Sequence, residues 1–388
     1  MLTIQLKKQL AHYDHSILLR NRQVVSREGK NKIRIKNQQL LNFSSNDYLG
    51  MTHHPAVKKA FIQAIKQYGV GSGSAALVSG WQLPHEELEK QFAAFLGRER
   101  ALLFNSGYLA NLGVITVLAQ RKTAIVADRL CHASLLDGIQ LTRAKHYRYR
   151  HCDIMHAADL LKKNAQSSIL LVTESVFSME GDIAPIKDLA LLAKQSDAAF
   201  IVDDAHGIGV LGQQGRGISE SAELDAEAIT CLITPLGKAF GGMGAIVSAS
   251  HTVIEAIMQF ARSYRYTTAI SPAIAAAMLK TLILIQQETW RREKLRTLIQ
   301  FFIEEAIERG LSLLSTALTP IKSIIVGDNQ QLEAIEQQLL TRGLLVACIR
   351  PPTVANGTAR IRISLNCLHS KKDILFLLDN ISLCLNTK

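Results

Sequence analysis

Between residues 100 and 250 the chain carries six short apolar runs: Ala101–Phe104, Ala124–Ala127, Ile169–Val172, Ala199–Val202, Ile229–Ile233 and Ala245–Val247. Stretches with helical patterning separate them. A strand with one face in water alternates apolar and polar residues, whereas these runs do not alternate. They read as strands buried on both faces. Strand and helix alternating at this spacing predict an α/β fold, a mainly parallel sheet flanked by helices. Ligands in such sheets bind beyond the carboxyl ends of the strands, so those positions are where functional residues are to be sought.

At 388 residues and 48% hydrophobic content the chain can bury a large core and is expected to form more than one domain. Three segments are expected: an N-terminal helical arm and segment (1–50), a large domain (51–290) and a smaller C-terminal α/β domain (291–388). Residues 1–40 suggest a helical arm, with Leu10, Ile17, Leu18 and Leu19 among charges, followed by a basic loop. Residues 282–309 read as one long helix with a stripe of Leu295, Leu298, Ile299, Phe302, Ile303 and Ile307. Beyond it, Ile321–Val326, Leu345–Ile349 and Arg360–Leu365 read as strands, and Gln331–Thr341 and Lys371–Leu385 as helices.

A net charge of +11 raises the question of nucleic acid. The one basic segment with interleaved aromatics, Arg143–Arg150, is short and has no recognition motif beside it. It reads as a solvated edge strand, and no nucleic-acid partner is expected. No apolar run reaches the ~18 residues of a membrane span, and no membrane partner is expected. The N-terminus has no signal-peptide pattern. Six scattered cysteines without a Cys-x-x-Cys pair read as reduced thiols of a cytoplasmic protein, and no metal is expected. Gly207-Ile208-Gly209-Val210-Leu211-Gly212 matches a dinucleotide fingerprint and follows a strand. Two carboxylates, Asp203 and Asp204, stand between that strand and the glycines, where they would repel a pyrophosphate. Gln213-Gln214-Gly215-Arg216-Gly217 is a poor helix start. An NAD-dependent dehydrogenase is retained as the alternative from a different class.

Four chemically capable residues lie a few positions past strand ends: His132, Ser178, Asp203 and Lys238. A lysine after one strand and Asp203-x-x-His206 after another are the parts needed to hold pyridoxal phosphate. The amine forms a Schiff base and the carboxylate pairs with the pyridinium nitrogen.

Several segments together resemble the α-oxoamine synthase family of fold-type I pyridoxal phosphate enzymes. They are Asn42–Gly50, Ser106-Gly107-Tyr108, Asp128–Ser134, Val176–Asp182, Asp203–Gly207 and Gly237–Gly241. Arg350–Val354 and Gly357–Arg362 are similar to its biotin-pathway branch. The resemblance implies a catalytic set of Lys238, His132, Asp203 and His206. Lys238 would carry the cofactor and act as base, Asp203 would keep the ring nitrogen protonated, and His206 and Ser178 would approach the ring's phenolic oxygen. His132 would stack on the ring, and Gly107 and Tyr108 would hold the phosphate. The family places threonine three residues before the lysine, where this chain has Pro235, so either Thr234 reaches the phosphate through a shifted loop, which is the expected course, or that contact is lost and cofactor affinity drops. Arg362 resembles the carboxylate clamp. Alternation puts Arg360 on the same strand face, which leaves the choice between them open. Asn46 would assist the clamp, and Arg20, Thr353 and His132 would contact substrate.

The implied reaction joins L-alanine to a pimeloyl thioester of coenzyme A or acyl carrier protein, with loss of carbon dioxide. A homodimer is implied, with Tyr266-Thr267-Thr268 reaching the partner's phosphate. Sister activities stay open: glycine C-acetyltransferase, 5-aminolevulinate synthase and serine palmitoyltransferase. Ala76, where several sisters have arginine, favours the biotin branch. A non-catalytic protein that kept the fold is the remaining alternative.

Overall fold

The computed structural model describes residues 2–15, 18–19 and 22–386. Its strands, in chain order, are β1 (Val25–Arg27), β2 (Lys32–Ile35), β3 (Gln38–Asn42), β4 (Arg100–Phe104), β5 (Ala124–Asp128), β6 (Lys145–Tyr149), β7 (Ile169–Glu174), β8 (Ala198–Asp203), β9 (Cys231–Pro235), β10 (Ala245–Ala249), β11 (Ile321–Gly327), β12 (Leu344–Leu345), β13 (Ala347–Ile349) and β14 (Ala359–Ser364). The chain divides into two compact units: Asn46–Ser178 with Ile183–Glu293, and Met1–Ser45 with Met179–Asp182 and Lys294–Lys388.

The first unit is built on a seven-stranded sheet of order β4-β10-β9-β8-β7-β5-β6. The strands from β5 to β9 run parallel, while β10 is antiparallel to both β9 and β4. The mainly parallel sheet is as expected, and the apolar runs are its strands. Val126, Leu171, Ile201, Leu232 and Ile246 are each 0% exposed. A side chain of that size contributes roughly 1.5–3 kcal/mol on full burial, which is why the runs lack polar alternation. The basic segment 145–149 forms the edge strand β6, with Lys145 and His146 exposed and only Tyr149 wholly buried. The reversal at β10 follows from chain length. Only nine residues, 236–244, separate β9 from β10, too few for a crossover to a parallel neighbour.

Residues 282–309 form two helices, Pro272–Gln287 and Trp290–Glu308, rather than one. The chain leaves helical geometry at Glu288 (φ −99°, ψ 57°). Arg291 pins the break, donating from Nε to Glu288 Oε2 at 2.5 Å and from Nη1 to the Leu49 carbonyl at 2.9 Å. Unbroken apolar spacing concealed this, because the arginine bonds that stabilise the break come from tertiary structure. Ile307, assigned to the buried stripe, is 60% exposed.

The second unit holds a four-stranded sheet, β1-β2-β3-β12, and a three-stranded antiparallel sheet, β11-β14-β13. The expected basic loop is in fact the meander β1–β3. Its Ile33, Leu40 and Leu41 are buried. Arg34 bonds both oxygens of Glu28, and Gln39 donates to Glu28 Oε2 at 2.9 Å. The single strand expected at 345–349 is divided: β12 pairs with β3 and β13 with β14.

His369 in this unit stacks on Phe43, with centroids 4.2 Å apart and planes at 9°. Its Nδ1 accepts from Asn366 N at 3.1 Å and its Nε2 lies 3.1 Å from the Asn42 carbonyl, so both nitrogens are satisfied by a neutral ring. Burial pushes its pKa down to about 4. The unfolded chain therefore binds the extra proton first as pH falls, so this contribution is complete above about 6.5 and is lost toward pH 4. Its size is on the order of 3 kcal/mol. Glu89 and Asp204, each pushed up to about 7 by burial, oppose it in the same window. The expected result is that His369→Gln gains urea stability relative to wild type as pH falls from 6.5 to 4; a pH-independent difference between the two would count against a neutral buried imidazole.

Candidate active site

The carboxyl ends of β5, β7, β8 and β9 share one edge of the first unit because these strands run parallel. Asp203 ends β8 and is 5% exposed. Its Oδ2 accepts from Asn111 Nδ2 at 2.7 Å and its Oδ1 from Ala205 N at 3.0 Å. Among the described residues it makes no ion pair. A buried carboxylate without a counter-charge is costly, and a protonated pyridine nitrogen would supply that charge.

His132 follows β5 and caps the helix Ala133–Thr142, its Nδ1 accepting from Ser134 N at 3.2 Å. Its own N–H donates to Glu174 Oε1 at 2.5 Å. Burial, with Lys238 adding to it, holds the imidazole below its ordinary range against Asp203 and Asp137. Glu174, the partner of Asp203 in the β7/β8 register, is pushed well up, by burial first and then by Asp203. His206 is 3% exposed and its Nδ1 lies 2.7 Å from the Tyr48 hydroxyl, which also reaches Asn46 Oδ1 at 3.3 Å. Ser178 is half-buried just past β7. Lys238, half-buried, stands in the turn between β9 and β10, whose backbone is closed by Gly241 N to Lys238 O at 2.8 Å and Gly242 N to Leu236 O at 3.0 Å.

The helix Gly107–Leu118 opens beside this edge, with Ser106 Oγ accepting from Leu109 N at 3.2 Å. Its first amides have no intrahelical acceptor and suit an anion. Tyr108 is 44% exposed and its hydroxyl donates to Asp137. A Cβ on Gly107 would come within 2.6 Å of Pro235 Cγ, so glycine is required where these two segments meet. Thr234 does not swing toward this helix. It is 0% exposed and its hydroxyl donates to the Ile246 carbonyl at 3.1 Å. The shift expected from sequence is prevented by the unbroken β9/β10 register, which pairs Thr234 with Ile246 and Pro235 with Ala245.

The glycine fingerprint has a different use. A Cβ at Gly207 would lie 2.0 Å from Asp204 Oδ1, and one at Gly217 would lie 1.8 Å from Oδ2. The loop is wrapped around that buried carboxylate and leads only into the short helix Ile218–Ser221. It offers no helix N-terminus of useful length to a pyrophosphate.

Within the second unit, both arginines of β14 are buried. The guanidinium of Arg360 pairs with Glu180 Oε1 at 2.9 Å and bonds the Thr358 carbonyl and hydroxyl. Arg362 donates to Ser364 Oγ at 3.0 Å. Thr353 is exposed, its N–H donating to Arg350 O at 3.2 Å. Arg20 lies outside the described residues. Sequence reasoning assigned no role to Tyr48, Asn111, Ser134 or Glu174. Asn111 carried a usable signal, since it is polar within the largely apolar helix Gly107–Leu118 and four residues past Gly107. Asp128, His151 and Cys152 cluster as three possible metal ligands. Hydrogen bonds from Leu130 N, Cys152 N and the His151 ring to Asp128 account for that grouping.

This sheet edge, with its lysine, buried aspartate and helix N-terminus, has the donor set that pyridoxal phosphate requires. The chain belongs to the aminotransferase class I and II family, whose profile matches residues 38–381. It is a fold-type I, pyridoxal-phosphate-dependent protein, as expected from sequence. It is 44% identical over 377 residues to an 8-amino-7-oxononanoate synthase of Saccharophagus degradans, covering 97% of this chain and 95% of that protein. It is 45% identical over 364 residues to the enzyme of that name from Nitrosococcus oceani, covering 94% and 96%. Among solved structures, serine palmitoyltransferase from S. paucimobilis with a bound PLP–myriocin aldimine superposes with TM-score 0.94 at 26% identity, covering 99% and 98%. The 8-amino-7-oxononanoate synthase of Francisella tularensis superposes at 0.79 with 34% identity, covering 88% and 97%.

Proposed function

We propose that the chain condenses L-alanine with a pimeloyl thioester to give 8-amino-7-oxononanoate, carbon dioxide and the free thiol of the carrier. The observation that carries this is near-full-length identity of 44–45% to enzymes of that name, joined to an intact Lys238, Asp203 and His206. Pyridoxal phosphate, when bound, supplies the sink for the electron pair left at the alanine α-carbon. Lys238 Nζ would hold the cofactor and would move the α-proton of the amino acid. Asp203 would keep a proton on the ring nitrogen. His132 would pack against the cofactor, His206 and Ser178 would bond its phenolic oxygen, and the first amides of the helix at Gly107 and Tyr108 would receive its phosphate.

Arg362 is the carboxylate clamp of this reading, since the Arg360 fork is already committed to Glu180 and Thr358. Asn46 would support it, and Arg20, Thr353 and His132 would contact substrate, Arg20 pairing with the anionic acyl group. A homodimer belongs to the same proposal. A cytoplasmic location is also part of it, supported by six cysteines that form no disulfide.

Product identification tests the reading. Purified protein is supplied with alanine, glycine or serine and with pimeloyl-coenzyme A or the pimeloyl carrier protein. The expected product is 8-amino-7-oxononanoate from alanine. Preferential turnover of glycine with a short acyl thioester would replace this assignment with a sister activity.

A further inference from the structure

His132 and Asp203 are joined by two buried polar residues. Asn111 is 2% exposed and Ser134 is 1% exposed. One amide group, Asn111 Nδ2, lies 2.7 Å from Asp203 Oδ2 and 2.8 Å from Ser134 Oγ. Ser134 Oγ in turn lies 2.7 Å from His132 Nδ1. The donor directions are determined. The Asp203 carboxylate already accepts Ala205 N, and turning the Asn111 amide would aim its carbonyl at that carboxylate. The Asn111 NH2 group therefore donates one hydrogen to Asp203 and the other to Ser134. Having accepted, Ser134 directs its own hydrogen to His132 Nδ1, which also receives the Ser134 backbone N–H at 3.2 Å. Nδ1 is an acceptor twice over, so the ring proton belongs on Nε2. Among the described residues Asn111 Oδ1 has no partner, which is the cost of this orientation.

We propose that Asn111 and Ser134 are positioning residues that lock His132 in its neutral Nε2–H tautomer and tie the plane of its ring to the Asp203 carboxylate. This rests on the reading that both groups face the bound cofactor. One hydrogen-bonded chain, Asp203 to Asn111 to Ser134 to His132, then sets the group over the ring and the group at its nitrogen together. Neither end can turn without breaking a buried bond. The surrounding charges agree with a neutral ring: Lys238 disfavours the cation, while Asp203 and Asp137 favour it less than burial opposes it.

The test is nitrogen NMR of the histidine-labelled apoprotein, with His132→Gln assigning the resonance. The expected wild-type signal is an Nε2–H tautomer. Ser134→Ala is expected to give mixed tautomers and a raised imidazole pKa, and Ser134→Thr to restore the wild-type signal. In the cofactor-loaded enzyme, Ser134→Ala is expected to lower kcat about tenfold with KM for alanine within about twofold. Asn111→Leu is expected to loosen the tautomer without touching His132 directly, which keeps the test open should Ser134→Ala fold poorly. An unchanged tautomer in both variants, or failure of Ser134→Thr to restore it, overturns the proposal. A locked tautomer in a protein that makes no 8-amino-7-oxononanoate would instead count against the assigned reaction alone.

Discussion

Lys238→Ala is expected to abolish turnover of alanine, by about four orders of magnitude or more, and to remove the visible absorbance of the cofactor-loaded protein. Removing this amine takes away both the covalent attachment and the base. The surrounding turn is closed by bonds through the backbone of Leu236, Lys238, Gly241 and Gly242, which the substitution leaves in place. The fold is therefore expected to survive, with thermal unfolding of the apoprotein close to wild type. Wild-type product formation by this variant would remove Lys238 from the mechanism.

Asp203→Asn is expected to lower kcat by about a hundred- to a thousandfold, the usual effect of deleting one preorganised electrostatic contact. The residue is buried, carries no ion pair among the described residues and receives donors on both oxygens. An asparagine can accept only one of those donors, so the apoprotein is expected to lose about 1 kcal/mol of stability. The diagnostic is the split between these effects: a large loss in rate with a small loss in stability. A large stability loss with unchanged kcat would make Asp203 structural.

Much of this site was legible before any tertiary structure. The apolar runs had to be two-faced strands, and Lys238, Asp203, Ser178 and His132 each fell just beyond one. What sequence reasoning missed shares a feature. Tyr48 meets His206 across 158 residues, Asn111 meets Asp203 across 92 and Ser134 across 23. No periodicity within a local window encodes such pairs. Thr234 failed as a phosphate contact for a related reason. Its hydroxyl was read as available, while the register of β9 with β10 had assigned it to Ile246.

The two arginines of β14 mark the same division. Their spacing put them on one face but ranked neither, and only the folded chain shows that Arg360 is paired with Glu180. By itself the sequence determined the parallel sheet and placed Lys238 and Asp203 at the carboxyl ends of its strands. Backbone propensity and the burial of apolar runs act between near neighbours, which is why they can be read in order along the chain. Only the tertiary structure decided hydrogen-bond partners, the break at Glu288 and the split between β12 and β13. Each of those is a competition for a donor, an acceptor or a strand edge among groups that meet only once the chain has folded.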